Sequence, residues 1–162
     1  NRRMAGLLVG GNSTVMGYLG SIVKCYLIGS LKNPAVPHVG NRLRELGYDV
    51  FDEWCGAGYE ADLKWQEYET IRGRRYQEAL YGRGAVNIFQ FDLRNLNDSD
   101  IGVLVLPTGK SGHLELGYLI GQGKPTYVLF DEEPRSWDVM YQFATKVFFD
   151  VEYLVDELAH ET

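Results

Sequence analysis

Cysteine and histidine are scarce in this chain, long apolar runs and an excess of basic residues are missing from it, and each lack removes a class of function. The two cysteines, Cys25 in an apolar strand-like run and Cys55 in a glycine-containing loop, form neither a disulfide framework nor a zinc-ligand spacing. A reducing cytoplasm is the simplest setting for them. The three histidines, His38, His113 and His160, lie far apart without HxxxH or HxH spacing, so neither a metal nor any other cofactor is expected. No apolar stretch approaches the ~18–20 residues that span a bilayer, which argues against a membrane partner. With 16 Lys and Arg against 22 Asp and Glu, the net charge is −6. That balance disfavours DNA or RNA, whose binding draws on clustered cations to neutralise several phosphates. The one basic cluster, Arg72, Arg74 and Arg75, sits among acidic neighbours and reads as a solvated helix face, with a single small phosphate as the alternative. The sequons at Asn12-Ser13-Thr14 and Asn97-Asp98-Ser99 read as accidental, since nothing else suggests secretion.

What is present fits one domain. A chain of 162 residues with 45% hydrophobic content can bury a single substantial core. Residues 1–20 mix Gly6, Gly10, Gly11, Gly17 and Gly20 with a basic start and lack the sustained apolar segment of a signal peptide. They read as a flexible or expression-derived leader, leaving 21–162 as a single domain.

Short apolar strands alternate with amphipathic helices along that domain. Ile22 to Ile28 reads as a buried first strand ending in Gly29-Ser30. A helix over about His38 to Leu46 follows Pro34 and Pro37, with Val39, Leu43 and Leu46 on one face and Gly47 as its C′ residue. Tyr48 to Phe51 is the second strand. Asp52 to Gly58 is loop-like, and Glu60 to Tyr81 is helix-like, carrying Trp65, Tyr68, Tyr76 and Tyr81. Such an aromatic stripe reads first as core or oligomer contact and second as a base-stacking lid. A helix over Ala85 to Asn97 carries Asp92 and leads into the strand Ile101 to Leu106. Then come a helix from Gly112 to Gly121, the turn Gly123-Lys124-Pro125, the strand Thr126 to Phe130, a short strand near Lys146 to Phe149 and a helix over Val151 to Ala159. The alternation predicts an α/β fold: a flavodoxin-like, doubly wound, five-stranded parallel sheet in the order 2-1-3-4-5, with a helical insertion after strand 2.

The segment Lys110-Ser111-Gly112-His113-Leu114-Glu115-Leu116-Gly117-Tyr118 places a carboxylate at the start of a helix, immediately after a buried strand. Ligands of open α/β sheets sit at the carboxyl ends of the strands, where glycine-rich turns feed helix N-termini. Glu115 would stand in that crevice. Its other reading is a surface carboxylate complementing the helix dipole.

Three pieces occur in one order: Tyr26-Leu27-Ile28-Gly29-Ser30, then Phe91-Asp92-Leu93 with Asp98-Ser99-Asp100, then His113 to Tyr118 with Gly123-Lys124-Pro125. Together, over about residues 23–130, they resemble the nucleoside 2-deoxyribosyltransferase family, including its branch of 2′-deoxynucleoside 5′-monophosphate N-glycosidases. The resemblance implies cleavage of an N-glycosidic bond through a glutamyl-glycosyl ester, resolved by water or by a second base. By position it makes Glu115 the nucleophile, Tyr26 the group that orients it, and Asp92 a sugar or base contact that assists proton transfer. It also implies that Gly29, Ser30, Gly109, Lys110, Ser111 and Gly112 bind substrate, including a 5′-phosphate. The alternative for Gly109 to Gly112 is an ordinary strand-to-helix turn.

The chain departs from the family in three places. The loop Thr108 to His113 lacks the aspartate or glycine-threonine pair often found there. The insertion from Trp54 to Tyr81 has no clear counterpart, and the tail His160-Glu161-Thr162 lacks the aromatic ending of the transferase branch, which favours hydrolysis over transfer. Two other functions compete: cleavage of the nicotinamide bond of NAD on a TIR-like scaffold, and a nucleotide-binding or sensing module without turnover. A homodimer or higher homo-oligomer is expected, because the family assembles its pockets at subunit interfaces and the aromatic insertion offers apolar surface.

Overall fold

The computed structural model describes residues 21–54 and 61–160, with the side chain of residue 61 left aside. The leader expected over 1–20, Cys55, most of the loop after strand 2, the first sequon and the last two residues lie outside them. Five strands, β1 (Lys24–Ile28), β2 (Asp49–Phe51), β3 (Ile101–Val105), β4 (Thr126–Leu129) and β5 (Lys146–Phe148), form one sheet. Its order is β2-β1-β3-β4-β5 and every pairing is parallel, the predicted doubly wound α/β topology.

Strand periodicity of two divides the core. Along β1, β3 and β4 one set of side chains, Cys25, Leu27, Val103, Val105, Tyr127 and Leu129, points to one face. There it meets Val36, Val39 and Leu43 of α1 (Ala35–Glu45) and Leu154 and Leu158 of α6 (Val151–Ala159). The alternate set, Tyr26, Ile28, Leu104 and Val128, faces Leu96 of α4 (Arg83–Asp98) and Leu116 and Leu119 of α5 (Lys110–Gly121). Because both faces are covered, β3 is buried at all five positions, which is why its sequence is a continuous apolar run.

Turn chemistry sets the helix ends. Asn33 Oδ1 accepts from the Ala35 amide at 3.0 Å, so α1 starts three residues before the predicted His38, with Pro37 tolerated in the first turn. Gly47 closes it with φ of 94°. The predicted continuous helix from Glu60 to Tyr81 is instead two: α2 (Ala61–Ile71) and α3 (Tyr76–Leu80). The break falls at Gly73, whose φ of 76° lies in the left-handed region that no regular helix can pass through. Gly82 caps α4, which begins two residues earlier than the predicted Ala85. At its other end, Lys124 Nζ donates to the carbonyls of Leu96 and Asn97, both at 2.9 Å, so the lysine of the Gly123-Lys124-Pro125 turn caps α4. Among the described residues no helix is long and apolar enough to cross a membrane.

Candidate functional site

A cleft of about 390 Å³ opens at the carboxyl ends of β1 and β3. Gly29 and Ser30 form its wall after β1, and Thr108 to Gly112 form the wall after β3 and the first turn of α5. Asp92 reaches it from α4 and Glu115 from α5. The topology therefore brings residues from three distant stretches to one hollow, as expected where crossovers diverge from an open sheet. Of the nine residues anticipated from sequence, eight line the cleft.

The ninth, Tyr26, lies beneath it. Its ring is fully buried in the sheet and packs against Phe51 at a centroid separation of 5.0 Å. Its hydroxyl faces Glu115 as donor to acceptor. The contact is not a hydrogen bond of regular geometry: Tyr26 Oη and Glu115 Oε2 are both buried without such a partner. Burial, then the charge of Glu115, push the Tyr26 phenol above its ordinary range, so the hydroxyl keeps its proton and remains a donor.

Glu115 is not at the helix start. α5 begins at Lys110, and no acidic residue occupies its first turn. The surface-carboxylate reading fails on this geometry, because dipole stabilisation fades within a turn and Glu115 is half-buried, with its Oε2 out of reach of solvent. Burial raises its pKa to about 7, with the Tyr26 hydroxyl pulling downward and the charge of Asp92 pushing upward. Asp92 is raised as well, first by burial and then by Asp62. The cleft thus holds two carboxyls whose grip on the proton is strengthened by burial, the mark of a functional-site candidate.

Two glycines of the cleft wall serve packing as much as any ligand. A Cβ on Gly29 would come within 2.5 Å of Val36 Cγ2, and one on Gly112 would meet Thr108 Oγ1 at 2.9 Å and Ile28 Cγ2 at 3.0 Å. The space left by the missing Gly29 side chain admits Val36 in the first turn of α1. Gly109 precedes α5 as an N-cap without a side-chain hydrogen bond. The Ser30 hydroxyl accepts from the Lys32 amide at 3.2 Å, leaving its proton for another acceptor.

Several cleft residues escaped the sequence reading. Trp54 hydrogen-bonds through Nε1 to the Leu27 carbonyl at 2.7 Å and forms part of the wall, with Asp62, Ile88, Leu31 and Lys32. Trp54 and Asp62 belong to the insertion, which no motif aligns with the sheet. His113 also acquires a definite place: its Nδ1 donates to the Gly109 carbonyl at 2.9 Å, and Nε2, left as acceptor, receives the Tyr141 hydroxyl at 2.8 Å. It ties the turn before α5 to the 3₁₀ helix Val139–Phe143. Among the described residues no group of three or more His, Cys, Asp or Glu side chains is placed to hold a metal ion.

No protein-family model matches the chain, and no curated protein matches it.

Proposed function

We propose that this chain cleaves the N-glycosidic bond of a nucleoside or nucleoside 5′-monophosphate through a glycosyl ester on Glu115. The observation that carries the reading is a half-buried carboxyl, backed by a buried tyrosine hydroxyl and sharing a strand-end cleft with Asp92. In its ionised form a Glu115 oxygen attacks C1′. The C1′–N bond breaks as the ester forms, and its electron pair leaves on the base nitrogen. Asp92, reaching the same cleft from α4, passes a proton to the base nitrogen as the bond breaks. Water or a second base then attacks C1′ and frees Glu115, the order of events in a retaining glycosidase.

Tyr26 orients the nucleophile from below. A cationic C1′ gains most from a poorly solvated carboxylate, since Coulomb attraction grows as the local dielectric falls. The rim suits an anion: Lys32 and Lys110 lie beside Ser30, Ser111 and the uncapped start of α5, where a 5′-phosphate would meet N–H groups and positive charge. We also read the protein as a homo-oligomer, supported by the exposed apolar side chains Val86, Phe89 and Phe91 of α4 and Leu114 of α5. Light scattering over a concentration series checks that assignment.

The direct test is incubation with pooled nucleosides, their 5′-monophosphates and NAD, with chromatographic detection of free base. Base release from deoxynucleosides or their monophosphates is expected, and Glu115→Gln should reduce it by ~10³-fold or more while leaving the fold intact. Nicotinamide release from NAD alone would move the activity to the NAD-cleaving class. Saturable binding without any product would make the chain a binding module.

A further inference from the structure

A second and larger cavity, about 710 Å³, lies between α2 and α3, away from the sheet. Apolar side chains Leu63, Ala79 and Leu80 share its lining with Trp65, Tyr76 and Glu69. The Trp65 and Tyr76 rings meet edge to face, with centroids 6.4 Å apart and an interplanar angle of 73°, giving the hollow an aromatic wall.

Two polar atoms in that wall have no hydrogen-bond partner among the described residues although both are buried: the Trp65 Nε1 donor and the Glu69 Oε2 acceptor. Positions i and i+4 place them on one face of α2. Glu69 is held rigidly. Its side chain is only 9% exposed, Oε1 accepts from Arg72 Nη1 at 3.0 Å, and Oε2 lies 3.4 Å from Arg74 Nε in an ion pair without hydrogen-bond geometry. Arg74 is itself fixed by donating through Nη2 to the Glu78 carbonyl at 2.9 Å. The carboxylate is therefore balanced in charge and clamped in position, yet keeps an unused lone pair one helical turn from an unused indole N–H in the same cavity wall. Buried polar groups in folded proteins nearly always find partners, and a neighbouring donor and acceptor left together describe the complement of what would satisfy them.

We propose that the cavity between α2 and α3 is a ligand site for a planar heteroaromatic molecule carrying a hydrogen-bond acceptor and donor on one edge, as a free nucleobase or a pyridine carboxamide does. The ring packs against Trp65 and Tyr76, its acceptor takes the Trp65 N–H, and its donor meets Glu69 Oε2. Asp62 lines both this cavity and the Glu115 cleft, so the two compartments adjoin. The assignment does not depend on the glycosidic reading and is tested without catalysis.

The full chain, as wild type and as Glu115→Gln, is titrated separately with adenine, cytosine and nicotinamide while the tryptophan indole N–H signals are followed by ¹H–¹⁵N spectroscopy. The Trp65 signal is identified by its loss in Trp65→Phe. At least one probe is expected to shift that signal saturably and equally in both proteins. Calorimetry should then show the affinity for that probe weakened ~10-fold or more by Trp65→Phe and by Glu69→Gln. The proposal is overturned if no probe moves the Trp65 signal at millimolar concentration. It is equally overturned if binding survives Trp65→Phe but is lost in Asp92→Asn, which would place the ligand in the other cleft; the wild-type spectrum decides even if a variant folds poorly.

Discussion

The sheet and the helical layer above it use apolar residues in opposite ways. β3 and β4 are buried at every position, whereas α4, a helix of 16 residues, fully buries only Leu96 among its apolar side chains and leaves Val86, Phe89 and Phe91 exposed. In α2, Tyr68 and Ile71 are 65% and 86% exposed. The difference separates the parts of the molecule that hold the fold from those free to serve recognition. Glu115 stands at the boundary, its helix packed on the sheet through Leu116 and Leu119 and its carboxyl turned to the cleft the upper layer helps to close.

The largest effect that would break this contrast is on stability. Leu104→Ala, at a fully buried position of β3, is expected to cost about 2–5 kcal/mol, while Ile71→Ala, on the outer surface of α2, should stay within about 0.5 kcal/mol of wild type. Denaturant unfolding of both variants measures it. Equal losses would mean that the upper layer is as much a part of the core as the sheet.

A second effect concerns the boundary residue. The folded protein holds the Glu115 proton up to about pH 7 against an ordinary value of 4.5, so between these values the native state binds more protons than the unfolded chain. The Glu115 contribution therefore lowers stability as pH rises through that window and levels off above it, an effect of up to about 3 kcal/mol. Glu115→Gln removes the titration. Its melting temperature relative to wild type should be higher at pH 8 than at pH 5, and a difference independent of pH would contradict the burial of this carboxyl.

The smallest effect sharpens the electrostatics. Tyr26 lowers the Glu115 pKa and Asp92 raises it. If ionised Glu115 is the nucleophile, kcat/KM rises with pH through the pKa of the free enzyme. The midpoint of that rise should move up in Tyr26→Phe and down in Asp92→Asn. A merely structural role for Tyr26 would lower the rate without moving the midpoint.

Much of this architecture was legible in the sequence because the sheet is buried on both faces. Continuous runs such as Ile101 to Val105, punctuated by Gly47 and Gly123, encode strand order through short connections and right-handed crossovers. Glu115 and the loop from Gly109 to Gly112 were legible because strand ends followed by glycine-rich turns meet at the switch in strand order, whereas Asp92, inside α4, was singled out only by the family resemblance. The depth of Glu115 was not. It depends on α5 beginning at Lys110, two residues ahead of Gly112, and on Tyr26 beneath it, a contact between residues 89 positions apart. Nor was the break between α2 and α3 recognised, since Gly73 is tolerated within many helical patterns and only its positive φ ends this one. Trp54 and Asp62 reach the cleft through tertiary placement of the insertion, which local periodicity does not encode.

The most direct measurement is intact-mass analysis of the protein acid-quenched during turnover of a deoxynucleoside 5′-monophosphate, followed by peptide mapping. The account predicts a mass increase equal to the bound sugar phosphate, located on the peptide containing Glu115 and missing from Glu115→Gln. Undiminished base release by Glu115→Gln, with no adduct on either protein, would contradict it.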